Sequence, residues 1–113
     1  MSINQVAITG NLGADAELRY TKSGLAVMRC SVAVTERIQQ DGEWVDKPNW
    51  IELMMFGKRA ERLAPCLHRG NKIAVSGHLH QAVWEQDGAK HSKLELRVDD
   101  IELMTVARAQ GSK

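Results

Sequence analysis

The sequence predicts an all-β fold: a small barrel of five strands with one short helix between the third and fourth. Three observations lead there. Apolar and polar residues alternate with period 2 over several long stretches. Glycine-bearing bends separate those stretches. Only Lys58 to His68 has helical spacing, with Ala60, Leu63, Ala64 and Leu67 at i, i+3, i+4 and i+7.

The first strand is expected over Ile3 to Asn11, where Val6 and Ile8 flank Ala7, and it ends in the bend Gly10-Asn11-Leu12-Gly13. Glu17 to Tyr20 is a short extended piece, followed by a turn at Lys22-Ser23-Gly24. Ala26 to Ile38 is the clearest strand. Ala26, Met28, Cys30, Val32 and Val34 form its core face, and Val27, Arg29, Ser31, Ala33, Thr35 and Arg37 its other face. Asp41-Gly42 marks a hairpin loop.

After Pro48-Asn49 a strand runs from Trp50 to Phe56, with Ile51, Leu53 and Met55 inward and Trp50, Glu52, Met54 and Phe56 outward. Gly57 breaks it. Pro65 bends or shortens the helix that follows, and Gly70 stops it. Lys72 to Trp84 is the next long strand, with Ile73, Val75, Gly77 and Leu79 on one face and His78, His80, Ala82 and Trp84 on the other. Gly77 suggests a bend at a barrel corner. Gln86-Asp87-Gly88-Ala89 is a hairpin turn. The last strand spans about Ser92 to Met104. Leu94, Leu96 and Val98 share a parity that Ile101 and Leu103 lack, and a bulge near Asp99-Asp100 would put all five on one side. This order, with one helix after the third long strand, is that of an OB barrel.

The length of 113 residues suits one domain with one core. Residues 1–104 are assigned to it, and 105–113, which lose the alternation, to a flexible tail. At 43% hydrophobic and 26% charged the chain should fold. No apolar run approaches the roughly 20 residues of a membrane helix, and no secretion signal opens the chain. Cys30 and Cys66, outside any CxxC pair, read as reduced thiols. A cytoplasmic protein is expected. The net charge of +1 is unevenly spread: residues 54–80 hold Lys58, Arg59, Arg62, Arg69 and Lys72 against Glu61 alone.

The aromatic residues are few: Tyr20, Trp44, Trp50, Phe56 and Trp84. By parity Trp50, Phe56 and Trp84 lie opposite the core faces of their strands, which exposes apolar surface. Flat rings beside cations such as Arg29, Arg37, Lys58 and Arg69 suit unpaired bases and their phosphates. The same placement suits a second hydrophobic surface or an oligomer interface, and the pattern leaves both readings open. Arg59 and Arg62 read as the solvated helix face.

Residues Asn4 to Gly13 followed by Ala14-Asp15-Ala16-Glu17-Leu18-Arg19-Tyr20 resemble the opening of the bacterial single-stranded DNA-binding protein family. Trp50 to Lys58 resembles that family's W-x5-F-G-K strand. Ala60-Glu61, Leu67, Arg69-Gly70 and Val75-Ser76-Gly77-His78-Leu79 resemble its helix and following strand. The likeness runs from about Ile3 to Met104. It implies an OB fold and sequence-tolerant binding and protection of single-stranded DNA in replication, recombination and repair. It also implies a homotetramer, with a dimer as the lesser form, associated with the nucleoid. Its stacking aromatics fall on Trp50, Phe56 and Trp84 and its basic positions on Arg19, Lys58 and Arg69. Members often carry an aromatic where Ile38 stands, and Trp44 is a candidate substitute. Members also end in an acidic, hydrophobic tip that recruits replication and repair proteins. This chain ends Ala109-Gln110-Gly111-Ser112-Lys113, as either a truncated chain or a form without that role would.

Other classes are weaker. Asp99-Asp100 are adjacent on a strand and point to opposite faces, which ill suits paired catalytic carboxylates, and no nucleophilic triad is spaced defensibly, so no enzyme is expected. Gly10-Asn11-Leu12-Gly13 lacks the Lys-Ser/Thr of a phosphate loop. Cys66, His68, His78 and His80 are metal-ligand types in no known zinc spacing, and no cofactor is expected. An OB module that has lost DNA binding would not need the three outward rings. Stacking and phosphate contacts alone do not separate DNA from RNA.

Overall fold

The computed structural model describes residues 2–104. Six strands form the fold: β1 (Val6–Leu12), β2 (Glu17–Tyr20), β3 (Ala26–Gln40), β4 (Glu43–Phe56), β5 (Lys72–Gln86) and β6 (Ala89–Leu103). Their order is β1-β5-β6-β4-β3-β2, and β1 also pairs with β3 at Asn11↔Ala33 and Leu12↔Val32. That last pairing closes a barrel of five strands, with β2 attached outside it along β3. All ladders are antiparallel except β4–β6, which is parallel at Leu53↔Leu96 and Met54↔Arg97.

The helix α1 (Lys58–Leu63) follows β4. It comes after the fourth strand and not the third, because Glu17–Tyr20 pairs along β3 as a strand of its own. It is shorter than its spacing suggested. Pro65 ends the α-helical bonding, and Ala64–Cys66 continues as one 3-10 turn.

Four strands, β3 to β6, reach past the sequence expectation because their hairpins are long arms. β3 and β4 stay in register through Gln40↔Glu43, and β5 and β6 through Gln86↔Ala89. Each arm turns on an Asp-Gly pair, Asp41-Gly42 and Asp87-Gly88, in which both residues take positive φ. This two-residue geometry matches the twist of the flanking strands. Pro48 lies within β4 where only β3 pairs with it, so its missing N–H costs one ladder at most. β1, in contrast, begins at Val6, and Ile3 is solvent-exposed.

The core is built from the alternation that marked the strands. Met28, Val32, Leu53, Leu67, Ile73 and Leu96 are fully buried, with Leu12, Cys30, Met55 and Val75 around them. Burial pushes the Cys30 thiol up to about 11, since a thiolate there would be stripped of water. Both cysteines are free thiols, and Cys66 is exposed.

A bulge does fall at Asp99: Ser76 pairs with Asp100 but Gly77 with Val98. The shift returns Ile101 to the side of Leu96 and Val98, and all three pack in or on the core. Leu94 and Leu103 depart from the expectation and are exposed, Leu94 because it stands on the β5–β6 arm beyond the barrel and Leu103 because it ends the strand. A Cβ on Gly77 would lie 2.1 Å from the Arg97 carbonyl oxygen, so β6 can cross there only over a glycine. Arg59, expected on a solvated face, instead pins the bulge, donating to the Asp99 carbonyl at 2.8 Å and the Asp100 carboxylate at 2.6 Å. The Tyr20 hydroxyl donates to the Glu61 carboxylate, tying β2 to α1, and this bond raises the phenol's pKa. The expected tail, 105–113, lies outside the described residues.

Candidate nucleic-acid interface

Strand parity decides which side chains share the barrel's outer surface. Core-facing residues on β3, β4, β5 and β6 leave Arg29, Trp50, Glu52, Met54, Phe56, His80, Ala82, Trp84, Lys93, Glu95 and Arg97 on the opposite side. Trp50, Phe56 and Trp84 are 60%, 37% and 40% exposed, as their parity predicted.

The register joins them into one surface. Phe56 pairs across β3 with Val27, and Trp50 with Ala33, so small or short neighbours leave the rings uncovered on that side. Met54 lies between Arg29 on β3 and Arg97 on β6. Arg29, Met54, Ala82, Trp84, Lys93 and Glu95 line a single recess of about 320 Å³, which places the β5 tryptophan beside the β3 arginine. Glu17 and Arg19 continue the face outward on β2, and Arg19 and Arg29 border one hollow of about 190 Å³.

Each ring has a specific support. A Cβ on Gly13 would come within 2.5 Å of the Trp50 indole, so this loop glycine lies directly beneath that ring. The Arg97 guanidinium stands 4.7 Å from the Phe56 centroid, and its Nε donates to the Glu95 carboxylate at 2.9 Å. Glu95 is only 3% exposed, so its charge is spent on orienting that arginine. His91 stacks on Trp84 with centroids 5.7 Å apart and planes 22° from parallel, and Lys93 reaches to 6.0 Å from the same ring.

The remaining predicted positions lie around this surface. Trp44 and Arg37 border one recess of about 250 Å³ on the β3–β4 arm. By register they share the ribbon face of Trp50, while Ile38 pairs with Val45 on the other face. Trp44 lies on β4 two residues after Gly42, beside the hairpin turn. Arg69 lies in the turn before β5, where its N–H donates to Asp15 at 2.8 Å, on the same β1–β2 loop that carries Gly13. Lys58 opens α1 two residues after Phe56 and is exposed.

The candidate metal ligands are separated. Cys66 faces the Arg62 carbonyl, His68 lies 3.8 Å from Asp15 and His78 lies 3.3 Å from Asp99. Among the described residues no group of three His, Cys, Asp or Glu converges, and no helix is long and apolar enough to cross a membrane.

A family model, that of the single-strand binding protein family, matches residues 3–104. The chain belongs to this family. It is 36% identical over 102 residues to the single-stranded DNA-binding protein of Treponema pallidum (strain Nichols), which covers 90% of this chain and 58% of that protein. The Borreliella burgdorferi single-stranded DNA-binding protein is 38% identical over 105 residues, covering 91% of this chain and 70% of its own. The chain thus spans 58–70% of the length of these two curated relatives. Among solved structures, a deletion mutant of the single-stranded DNA binding protein from Thermus aquaticus superposes with a TM-score of 0.80 at 31% identity, covering 91% of this chain and 51% of that one. The Plasmodium falciparum SSB, solved in complex with single-stranded DNA, shares the fold with a TM-score of 0.82 at 20% identity over 93% of this chain and 97% of its own.

Within this single-strand binding family barrel, three residues at the rings escaped the sequence reading: His91, Lys93 and Arg97. Their signal was present, since they alternate with Ser92, Leu94, Leu96 and Val98 and so face outward. Sequence did not say that β6 lies between β4 and β5, which is what brings Lys93 and Arg97 to Trp84 and Phe56.

Proposed function

We propose that this chain is a non-catalytic binder of single-stranded DNA that coats exposed strands in replication, recombination and repair. Bases stack on Trp50, Phe56 and Trp84, and phosphates meet Arg19, Arg29, Arg37, Lys58 and Arg69. One observation carries the reading: three large rings stand outward on a single surface with arginine and lysine side chains beside them. Family membership supports it. Stacking tolerates any base because every base offers a π-face, and counterion release makes the phosphate part sensitive to salt. Trp44 supplies the platform that Ile38 does not, a role supported by its sharing a recess with Arg37.

Self-association into a homotetramer, through dimers, belongs to the same reading. It is supported by β1, which pairs with β3 at Asn11 and Leu12, so that Val6–Thr9 keep an open edge beside β5. Recruitment of replication and repair proteins through an acidic tip applies only where such a segment lies outside this chain. A cytoplasmic, nucleoid-associated location follows from the DNA ligand.

The test is tryptophan fluorescence during titration with poly-dT at low and high salt, on the wild type and Trp50→Ala. Strong quenching, with affinity lost in a folded variant by about 1–3 kcal/mol, supports stacking. No quenching and no binding by an independent assay would remove the function. Matched RNA oligomers in the same titration separate DNA preference from a general single-strand affinity.

A further inference from the structure

Glu52 stands in the middle of the aromatic row, between Trp50 and Phe56 on the outward side of β4. A carboxylate is out of place on a path for a polyanion, and this one is engaged from two sides. The Lys93 ammonium lies against its Oε1, an atom shielded from solvent, and Arg29 Nη1 lies 3.9 Å from its Oε2. These two cations come from the strands on either side, β6 and β3, and both line the recess that holds Trp84. Glu95 differs, because it is sealed from solvent and its bond orients Arg97 over Phe56.

We infer that Glu52 limits the protein's affinity for single-stranded DNA by holding Lys93 and Arg29 in internal ion pairs that phosphates must displace. This rests on the reading of the surface given above and adds a regulator to it. A phosphate approaching between Trp50 and Phe56 meets a like charge and finds the nearest cations already neutralised. Each strand contact made there exchanges a carboxylate for a phosphate, so it is weak and easily reversed, while the rings hold the bases. The consequence is a shallower salt dependence than the number of basic side chains on the face would give.

The experiment measures fluorescence anisotropy of a labelled oligo-dT against salt concentration for wild type, Glu52→Gln, Lys93→Gln and the double variant. Glu52→Gln should bind about five-fold tighter at low salt, the effect of removing one like charge at contact distance in water. Its salt dependence should steepen by about 0.7–1.4 in log–log slope, as one or two further phosphates are neutralised. Lys93→Gln should cancel much of that gain in the Glu52→Gln background, and should cost more there than in the wild type, where Glu52 already holds the ammonium. Equal or weaker binding by folded Glu52→Gln would overturn the inference while leaving DNA binding intact. Folded wild type and variant that both fail to bind would overturn the DNA reading itself, and this inference with it. If Glu52→Gln does not fold, Glu52→Thr, a strand former without charge, is read by the same criteria.

Discussion

The guanidinium of Arg97 stands over the ring of Phe56, 4.7 Å from its centroid, and so joins β6 to β4 across their short parallel pairing. Ring and cation are one unit, since Glu95 fixes the arginine from its other side. Removing Phe56 with alanine should cost about 1–3 kcal/mol of single-strand affinity. Arg97→Ala should weaken binding and flatten the log–log salt slope by about 0.7. The double variant should lose less than the sum, by about 0.5–1 kcal/mol, because each side chain holds the other in place. A four-member cycle of DNA titrations reads this coupling, and strict additivity would show that the two act separately.

Gly13→Ala should act on Trp50 and on little else. A methyl there would press within 2.5 Å of the indole, yet Gly13 is not among the glycines with positive φ, so alanine suits its backbone. The ring must tilt away while the barrel stays closed. Tryptophan emission and near-ultraviolet dichroism should change, and single-strand affinity should fall, with a melting temperature within a few degrees of wild type. A large drop in melting temperature would show that the loop and the ring support the barrel as well.

Gly77→Ala should damage the fold itself. The added methyl would meet the Arg97 carbonyl at 2.1 Å and a Leu96 methyl at 2.8 Å. A backbone carbonyl cannot rotate aside as a side chain can. Overpacking of this kind costs about 1–3 kcal/mol, and here also disturbs the bulge that aligns Val98 and Ile101. Chemical denaturation should place the midpoint of this variant well below that of Gly88→Ala, where a Cβ meets nothing within 4 Å and only the turn is strained.

The Arg59–Asp100 pair makes stability depend on acid. The Arg59 hydrogen bond, then the Ile101 N–H, hold the Asp100 carboxyl below its ordinary value of 3.8. A carboxyl with a lowered folded value stabilises the fold fully above the unfolded value and loses that contribution as pH falls through the folded one. Asp100→Asn should therefore melt below wild type at neutral pH. The gap should close as the pH drops beneath 3.8 and vanish once wild-type Asp100 is itself protonated. Thermal melts of both proteins across that range test it, and a gap that stays constant with pH would exclude the ion pair as its cause.

Local pattern was enough to orient the rings of Trp50, Phe56 and Trp84 and to place the bulge at Asp99, because both follow from period 2 along a single strand. It was not enough for Arg97 and Lys93. Their importance depends on β6 lying between β4 and β5, a neighbourhood set by closure of the barrel and invisible in any one stretch. The first half of β4, Glu43 to Asn49, was not legible as strand, because Pro48 in sequence resembles a boundary. In the fold Pro48 continues a strand that has one partner there, where a missing N–H is tolerated. The helix was overextended for the converse reason: Leu67 keeps helical spacing, and it is buried, but it reaches the core from the extended residue after the 3-10 turn.

Strand β1 is completed by β5, Val6 pairing with Gly77 some seventy residues later. A ribosome adds roughly 5–20 residues each second, so β1 waits about 4–14 s after its own synthesis before β5 emerges to meet it. Until then only the β3 contacts at Asn11 and Leu12 can hold it, and its length stands open to any other extended chain. The β3–β4 arm, whose partners are adjacent in sequence and joined by a two-residue turn, needs no such wait. Nascent chains stalled before Lys72 should therefore carry a formed hairpin and a loose leading strand, and chaperones that shield strand edges should find their substrate in that interval.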